Sequence, residues 1–490
     1  MAEVILFRPG EKYSEALATH MPPLSLLYIA TPLVNNGFKV KIIDTETCKD
    51  WVAELKTAID SSTICVGISV MTGHQIKNAL DFSRTVKALK PIPVIWGGLH
   101  PTFLSYQTLQ NEFVDIILIG EGDKRFLGVV RSIKNNNGLN KIKGVMFKEG
   151  SEFKSTEPEN EFIDLDTLPI PDYRLIDFEY YSSYQRRYLP NRYKILDLNT
   201  DRGCPYRCAF CYNIRANRRQ CRGMNAEKLL ATIGELKSRY GIDAINFIAD
   251  NFFVNKRRVY DVCKGIIDRG FNIGWHTDIR IDTFLHYENE LIELIKNSGC
   301  TALTFGVESG SDRILRSIQK DITVADVLLA HKKAMNFGFM INYHFMIGFP
   351  GETTKDIRET LSLIWALKQS KNVTIYGPAM YTPYPGTLLY DKCLELGFVP
   401  PNRLEDWIDY DWDNTSKLPW VTPNFKNYLI EVSHFGHGGR VSINKSAVRV
   451  IYNIYCKSRL WGLVHGIRAF GLDIKVILFL RKVLSSIGGE

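Results

Sequence analysis

Apolar positions recur along the first 125 residues in two rhythms. Short unbroken apolar runs fall at 4–8, 39–44, 64–69, 93–98 and 114–120. Between them lie stretches such as 24–36 and 75–89, where apolar residues return at helical spacing. Gly37 after the first stretch, and Pro91 and Pro93 after the second, are helix stop signals. Apolar strands without polar alternation need cover on both faces. Alternation with helices therefore predicts a doubly wound parallel sheet of Rossmann-like type. Ligands on such sheets bind beyond the carboxyl ends of the strands. Those ends carry Arg8-Pro9-Gly10, Met71-Thr72-Gly73-His74, Gly97-Gly98-Leu99-His100-Pro101-Thr102 and Gly120-Glu121-Gly122-Asp123.

The pattern then changes. GVMFKEGSEFK reads as a hairpin turning at Glu149-Gly150-Ser151, and IDLDTLPIPDY as a proline-broken extended segment. From Ile195 a second series begins, with strand candidates at 195–200, 244–249, 273–278, 302–307, 340–347 and 373–381. Helical spacing lies between them, as at 226–240 and 356–368. Six strand–helix units predict a partial (β/α)6 TIM barrel, whose chemistry belongs at the strand C-termini. Polar residues fall there: Asp250-Asn251, Arg280, Glu308-Ser309-Gly310 and the GFPGET run from Gly348 to Thr353. The expected fold is thus α/β, a parallel sheet followed by a partial barrel, with a helical segment at the C-terminus.

Composition narrows the class. The chain has 490 residues, 45% hydrophobic and 23% charged, as in ordinary soluble proteins. No 18-residue apolar run predicts a membrane span, and MAEVILFRPG carries Glu3 and no basic leader. The net charge is +8, but positions 440–490 hold nine Lys and Arg against two acids, so the other 439 residues carry only +1. A nucleic-acid-binding surface is therefore not expected. The basic, aromatic stretch 447–487 reads either as an amphipathic segment on an anionic membrane or as helices packed on the barrel. The acidic segment 402–414, with Trp407 and Trp412, is placed to close over the barrel mouth. Seven of the ten cysteines are scattered and read as reduced thiols, which fits a cytoplasmic protein.

The other three, Cys204, Cys208 and Cys211, read CPYRCAFC directly after the 195–200 strand. Three thiolates on one short loop can hold three irons of a [4Fe-4S] cluster and leave the fourth open. A zinc site would want a fourth ligand close by, and none stands out. C-x3-C-x-Φ-C in this position resembles the radical S-adenosylmethionine (SAM) signature. PPLSLLYIA, GISVMTGH, GGLHPT and VDIILIGEGD resemble the cobalamin-binding domain that precedes many radical SAM domains.

The resemblance, to the cobalamin-binding radical SAM enzymes, spans roughly residues 1–395. It implies a cobalamin domain at 1–140, a linker with hairpin at 141–190, a radical SAM barrel at 191–400 and a helical, basic C-terminal domain at 401–490. It implies that SAM chelates the open iron and yields a 5′-deoxyadenosyl radical. Phe210 would shield the cluster, Asp250 accept from the SAM amine, Arg280 meet its carboxylate, and Glu308 and Ser309 meet the ribose or sulfonium. Cobalamin would lie on the loops of Met71, Thr72, Gly73, Gly97, Gly98, His100, Pro101, Gly120 and Glu121. There is no D-x-H-x-x-G, so no protein histidine is expected on cobalt. Ala249 replaces the first acid of the family's FxDDxF segment. The implied activity is methylation of an unactivated carbon. The alternatives are radical cyclisation, dehydration or other oxidoreductase chemistry without methyl transfer, or a non-catalytic cluster protein. Implied partners are a small-molecule or lipid substrate and a flavodoxin- or ferredoxin-type electron donor. Arg218, Arg219 and Arg222 are the residues placed to dock that donor, or to meet phosphate, or simply to solvate a helix entry.

Overall fold

The two series of strands form two sheets in the computed structural model, which describes residues 2–10, 21–183, 189, 194–410, 418–436 and 459–464. In the first, β1 (Val4–Arg8), β2 (Val40–Asp44), β3 (Cys65–Ser69), β4 (Val94–Gly97) and β5 (Ile116–Leu118) run parallel in the order β2-β1-β3-β4-β5. Alternation along β1 divides the core. Val4 and Leu6 pack with the helix Leu24–Asn35, while Ile5 and Phe7 pack with the helices Trp51–Ala58 and Gln75–Leu89. Strand order reverses between β1 and β3, which opens a crevice at the carboxyl ends.

The hairpin expected within the 141–190 linker, β6 (Val145–Glu149) and β7 (Glu152–Ser155), instead extends this sheet. β6 pairs antiparallel with β5, placing Phe147 opposite Ile116. Buried Val145 and Phe147 alternate with the half-buried Met146 and Lys148, and the edge of β5 supplies the partner they need.

The second sheet is an open barrel. β8 (Ile195–Arg202), β9 (Arg222–Gly223), β10 (Ala244–Ala249), β11 (Gly274–Ile279), β12 (Cys300–Glu308), β13 (Met340–Ile347) and β14 (Val373–Met380) lie in the order β14-β13-β12-β11-β10-β8-β9. Six are parallel, and the two-residue β9 lies antiparallel at the edge. The helices between them are capped by their own sequence. Asn225 caps Ala226–Tyr240, and capping boxes start Val324–Asn336 and Thr354–Leu367.

Inside the barrel the first inward layer is polar. Asn246 donates to Asp197 (2.6 Å), His276 bonds Asn246 (3.0 Å) and Thr304 (2.7 Å), and Asn342 donates to Thr304 (3.0 Å). Because Asn246 Oδ1 is an acceptor, His276 carries its proton on Nδ1 and accepts from the Thr304 hydroxyl at Nε2. This bonded layer closes the floor of the barrel.

The two sheets share a core, in which Leu6 and Leu196 belong to one buried cluster. Arg202, at the end of β8, clamps Asp123 of the first domain through two bonds of 2.8 and 2.7 Å. Tyr28 donates to the Asn199 carbonyl (3.1 Å). The helix Pro423–Gly436 packs beside β14 and the helix Thr354–Leu367. Leu460 and Leu463 are buried in the same core, and Arg459 pairs with Glu431 at 2.8 Å. Most of 447–487 lies outside the described residues, as does Trp412. Trp407 does not reach over the barrel mouth. It is buried on the first domain, donating to Gln107 (2.7 Å) and meeting His100 edge-on. Among the described residues no helix is long and apolar enough to cross a membrane.

Candidate active site

The turn after β8 begins at Gly203, whose φ is +83° and where a Cβ would fall 1.8 Å from the Gln220 carbonyl oxygen. Only glycine fits there. Its N–H donates to Asp250 Oδ2 at 2.6 Å, and Tyr212 donates to Asp250 Oδ1 at 3.1 Å. Asp250 therefore holds the cysteine loop with both oxygens, a more local task than accepting from an amine. The loop is stitched to the barrel by Ala209 N–H to the Ile318 carbonyl (2.8 Å) and Leu389 N–H to the Ala209 carbonyl (2.7 Å).

The three cysteines sit on this loop, Cys208 buried and Cys204 and Cys211 half-buried. Two sulfurs receive N–H donors: Asn251 Nδ2 lies 3.5 Å from Cys204 Sγ, and Arg280 Nη1 lies 3.4 Å from Cys208 Sγ. Burial raises the Cys211 thiol to about 11 and also raises Cys204, so bare thiols are favoured here unless a metal takes the proton's place. Among the described residues no three His, Cys, Asp or Glu side chains converge tightly enough for a single ion. Three thiols around a loop, with donors to sulfur, suit the wider span of an iron–sulfur cluster. Asn251 Oδ1, on the side chain that touches Cys204, is buried and unpartnered. It is an open acceptor beside the loop.

Arg280 is fully engaged. Its Nε and Nη2 grip Asp282 (2.9 and 3.0 Å), Nη2 also donates to the Lys320 carbonyl (2.8 Å), and its plane lies 3.6 Å over the Tyr206 ring. This leaves little of the fork for the SAM carboxylate expected from sequence. Its charge instead sits against Cys208. Glu308 adopts φ +69° at the end of β12 and accepts from Lys320 Nζ at 2.8 Å. Burial pulls Lys320 down, but Glu308 and Cys208 outweigh it and hold the ammonium above its ordinary value. Gly306 makes the pair possible, since a Cβ there would lie 2.7 Å from Glu308 Oε1 and 3.1 Å from Lys320 Nζ. Ser309 is buried away from this pair, bonded to Thr360 (3.2 Å) and to the Ser311 N–H (3.2 Å). Phe210 faces Lys320, 5.7 Å from ammonium to ring centre.

A cavity of about 950 Å³ runs from the carboxyl ends of the first sheet to those of β8 and β10. Gly97, Gly98, Gly120, Glu121 and Gly122 line one side, and Asn199, Tyr212 and Asp250 the other. A glycine-lined cradle of this size fits a large flat group such as a corrin. Met71, Thr72, Gly73, His100 and Pro101 do not line it. His100 is buried, with Nδ1 bonded to Thr72 (2.9 Å) and Nε2 unpartnered. Burial pushes its imidazole down to about 3, so it stays neutral. Gly98 has φ +100°, and a Cβ would lie 2.6 Å from the Val70 carbonyl oxygen, so its first role is to pack that loop on β3. Glu121 is bound by Arg202 (3.2 Å) and by Arg222 (2.9 and 3.1 Å). Arg222 is thus an inter-domain tie, while Arg218 and Arg219 donate to the Asn160 and Pro205 carbonyls.

Sequence reasoning passed over Lys320, Asn251 Oδ1, Arg202 and the inward-facing Asp278 and His344. Only strand parity pointed to the last two: His276, Asp278 and Arg280 alternate on β11, and Asn342 and His344 on β13.

Comparison with known proteins agrees with this architecture. Residues 198–364 match the model of the radical SAM superfamily, and residues 13–130 that of the B12 binding domain. The chain is 30% identical over 404 residues to an uncharacterised methyltransferase of Pyrococcus horikoshii, covering 80% of this chain and 83% of that protein. It is 24% identical over 425 residues to the anaerobic magnesium-protoporphyrin IX monomethyl ester cyclase of Cereibacter sphaeroides, covering 84% and 64% respectively. Among solved structures it is similar to the radical SAM methyltransferase TsrM of Kitasatospora setae, determined with cobalamin and a [4Fe-4S] cluster bound. The TM-score is 0.63 at 16% identity, covering 81% of this chain and 75% of that one, a likeness of fold.

Proposed function

The chain belongs to the cobalamin-binding radical SAM enzymes, and we propose that it methylates an unactivated carbon of a small-molecule substrate. The observation that carries this reading is the shared cavity. The carboxyl ends of the two sheets, one glycine-lined and the other bearing the cysteine loop, open onto the same space. In this reading Cys204, Cys208 and Cys211 hold a [4Fe-4S] cluster, and the cradle of Gly97, Gly98, Gly120 and Glu121 holds cobalamin. Bound there, the cluster with SAM supplies a hydrogen-abstracting adenosyl radical, and cobalamin supplies the methyl group.

The remaining work belongs to the protein. Asp250 fixes the loop through the Gly203 N–H, so the thiolates keep their spacing. Arg280 and Asn251 donate to sulfur and temper its negative charge. The Glu308–Lys320 pair presents a fixed dipole at the barrel mouth, and Asn251 Oδ1 an acceptor, for the polar groups of SAM. The Arg202–Asp123 and Arg222–Glu121 ties hold the two cofactor sites at constant separation, which one substrate carbon facing both would need. The electron donor we expect is a flavodoxin or ferredoxin. Exposed Arg218 and Arg219, bonded to backbone carbonyls near the cysteine loop, suit an acidic partner.

A second reading follows from the cyclase match, in which the same cofactors drive ring closure or oxidation without methyl gain. Anaerobic reconstitution with iron, sulfide, cobalamin and methyl-deuterated SAM, followed by mass spectrometry of cell-extract products, separates the two. Methylation predicts a product carrying the deuterated methyl alongside 5′-deoxyadenosine. Turnover of extract metabolites with 5′-deoxyadenosine but no label transfer would favour cyclisation.

A further inference from the structure

Above the polar floor of the barrel lies a second inward layer, and it contains a carboxylate without a partner. Asp278 on β11 points into the lumen, one inward position beyond His276. It is open to solvent there, and no described residue hydrogen-bonds or ion-pairs with it. β12 flanks it on one side, where Asp278 lies beside Thr304. Across the lumen the register sets Gly306 beside His344 and His344 beside Tyr376. The His344 and Tyr376 rings stack at 5.0 Å with an interplanar angle of 13°. His344 is likewise exposed to the lumen.

The charges around this space do not balance. Asp278 and Glu308 are acids, Lys320 is already spent on Glu308 at 2.8 Å, and Arg280 is spent on Asp282. One negative charge is left over in a walled chamber. Burial raises the Asp278 carboxyl above its ordinary value, with His344 pulling the other way and Glu308 adding to the rise. A carboxylate that meets water and no protein donor is free to take a cationic partner from outside. The bland account is a water-bridged Asp278–His344 contact with no further role. It does not explain why the carboxylate is set apart from every donor within reach while each deeper polar group is bonded.

We propose that Asp278 is a specificity-determining residue that receives a protonated amine of the substrate, with the apolar body of the same molecule lying against the His344–Tyr376 stack. This rests on the proposed methylation of a small-molecule substrate and adds that the substrate reaches into the barrel lumen. It narrows the substrate class to small cationic amines with a flat or apolar portion. A cation fits the leftover charge, and an aromatic pair is a favourable wall for both a ring and a neighbouring ammonium.

The test uses reconstituted holoenzyme and three probes of one shape: benzylammonium, benzyl alcohol and benzoate. Binding is read by calorimetry or saturation-transfer NMR. Benzylammonium should bind wild type more tightly than benzyl alcohol, and benzoate should not bind. Asp278→Asn should weaken benzylammonium by roughly tenfold or more, the usual worth of a hydrogen bond to a charged group. SAM affinity and uncoupled 5′-deoxyadenosine formation should be unchanged in the variant. Equal benzylammonium binding by Asp278→Asn, or preference of wild type for benzoate, overturns the proposal. So does weakened SAM binding in the variant, which would move Asp278 into the cofactor site. The probe ranking in wild type needs no variant, so it decides even if Asp278→Asn does not fold. Absence of 5′-deoxyadenosine from wild type would count against the radical SAM reading and leaves the probe result to stand by itself.

Discussion

Replacing Lys320 with Met removes the only described partner of a carboxylate that is about nine-tenths buried. At 2.8 Å the pair attracts by about 6 kcal/mol for an effective dielectric near 20. That figure is an upper bound, because the abandoned carboxylate has an escape: it takes up a proton. For an ordinary glutamate that costs no more than about 4 kcal/mol at pH 7 and about 1 kcal/mol at pH 5. The expected loss of stability at pH 7 therefore lies at about 3–4 kcal/mol, within the range for breaking a buried pair. It corresponds to a melting shift of roughly 6–16 °C for a barrel-sized unit. The sign follows from linkage. A carboxyl whose folded-state pKa has been raised in the variant loses stability as pH climbs above its unfolded value, so the penalty grows from pH 5 to pH 7. Glu308→Gln combined with Lys320→Met should recover most of the loss, since neither charge is then stranded. Anaerobic thermal melts of the four proteins at both pH values form a double-mutant cycle. A penalty under about 1 kcal/mol at pH 7, or one equal at both pH values, would refute the reasoning.

Three further outcomes are expected. Burial raises Glu352 to about 8, its carboxylate held by the Gly348 and Phe349 N–H groups and its Oε1 unpartnered. A raised acid costs stability as pH rises from its unfolded value of about 4.5 towards 8, so Glu352→Gln should match wild type near pH 4.5 and exceed it at pH 8.5 in thermal melts. Gly98→Ala should destabilise the first sheet by more than about 1 kcal/mol, because φ is +100° and the added Cβ meets the Val70 carbonyl oxygen at 2.6 Å. Cobalamin retention and melting should fall together, and loss of retention at unchanged melting would point to direct contact alone. Arg202→Met strands the buried Asp123 and should cost about 3–5 kcal/mol, read as faster proteolysis of the connector between the two domains.

Much of the architecture was legible because it rests on local periodicity. The strands at 340–347 and 244–249 and the helix at 75–89 coincide with their sequence patterns to the residue, since each is bounded by glycine, proline or a cap. The hairpin at 145–155 was legible as a hairpin but not as part of the first sheet. Pairing with β5 is a long-range choice on which the local alternation is silent. The cysteine loop was legible for a similar local reason: three thiols in eight positions have few other uses. The protein partners of Asp250, Arg280 and Ser309 were not, because a side chain's partner depends on what the fold brings near. Asp250 meets Gly203 across 47 positions, and Ser309 meets Thr360 across 51.

The cations whose partners that reading missed have one thing in common. Lys320, Arg202 and Arg222 each neutralise an acid that the sequence had offered to a ligand, Glu308, Asp123 or Glu121. An acid at a strand's carboxyl end looks like a binding group in one dimension, but in a walled interior it needs a cation, and the protein supplies its own. Charge balance is therefore a sharper guide to ligand contacts than strand-end position. Acids that are already paired hold the frame together, and an acid left without a partner marks where something else must bind. By that criterion the pairs made by Glu121, Asp123 and Glu308 set the frame on which we propose the two cofactors rest. Asp278, to which only strand parity points, has no partner among the described residues, and that is why we propose it for the substrate amine.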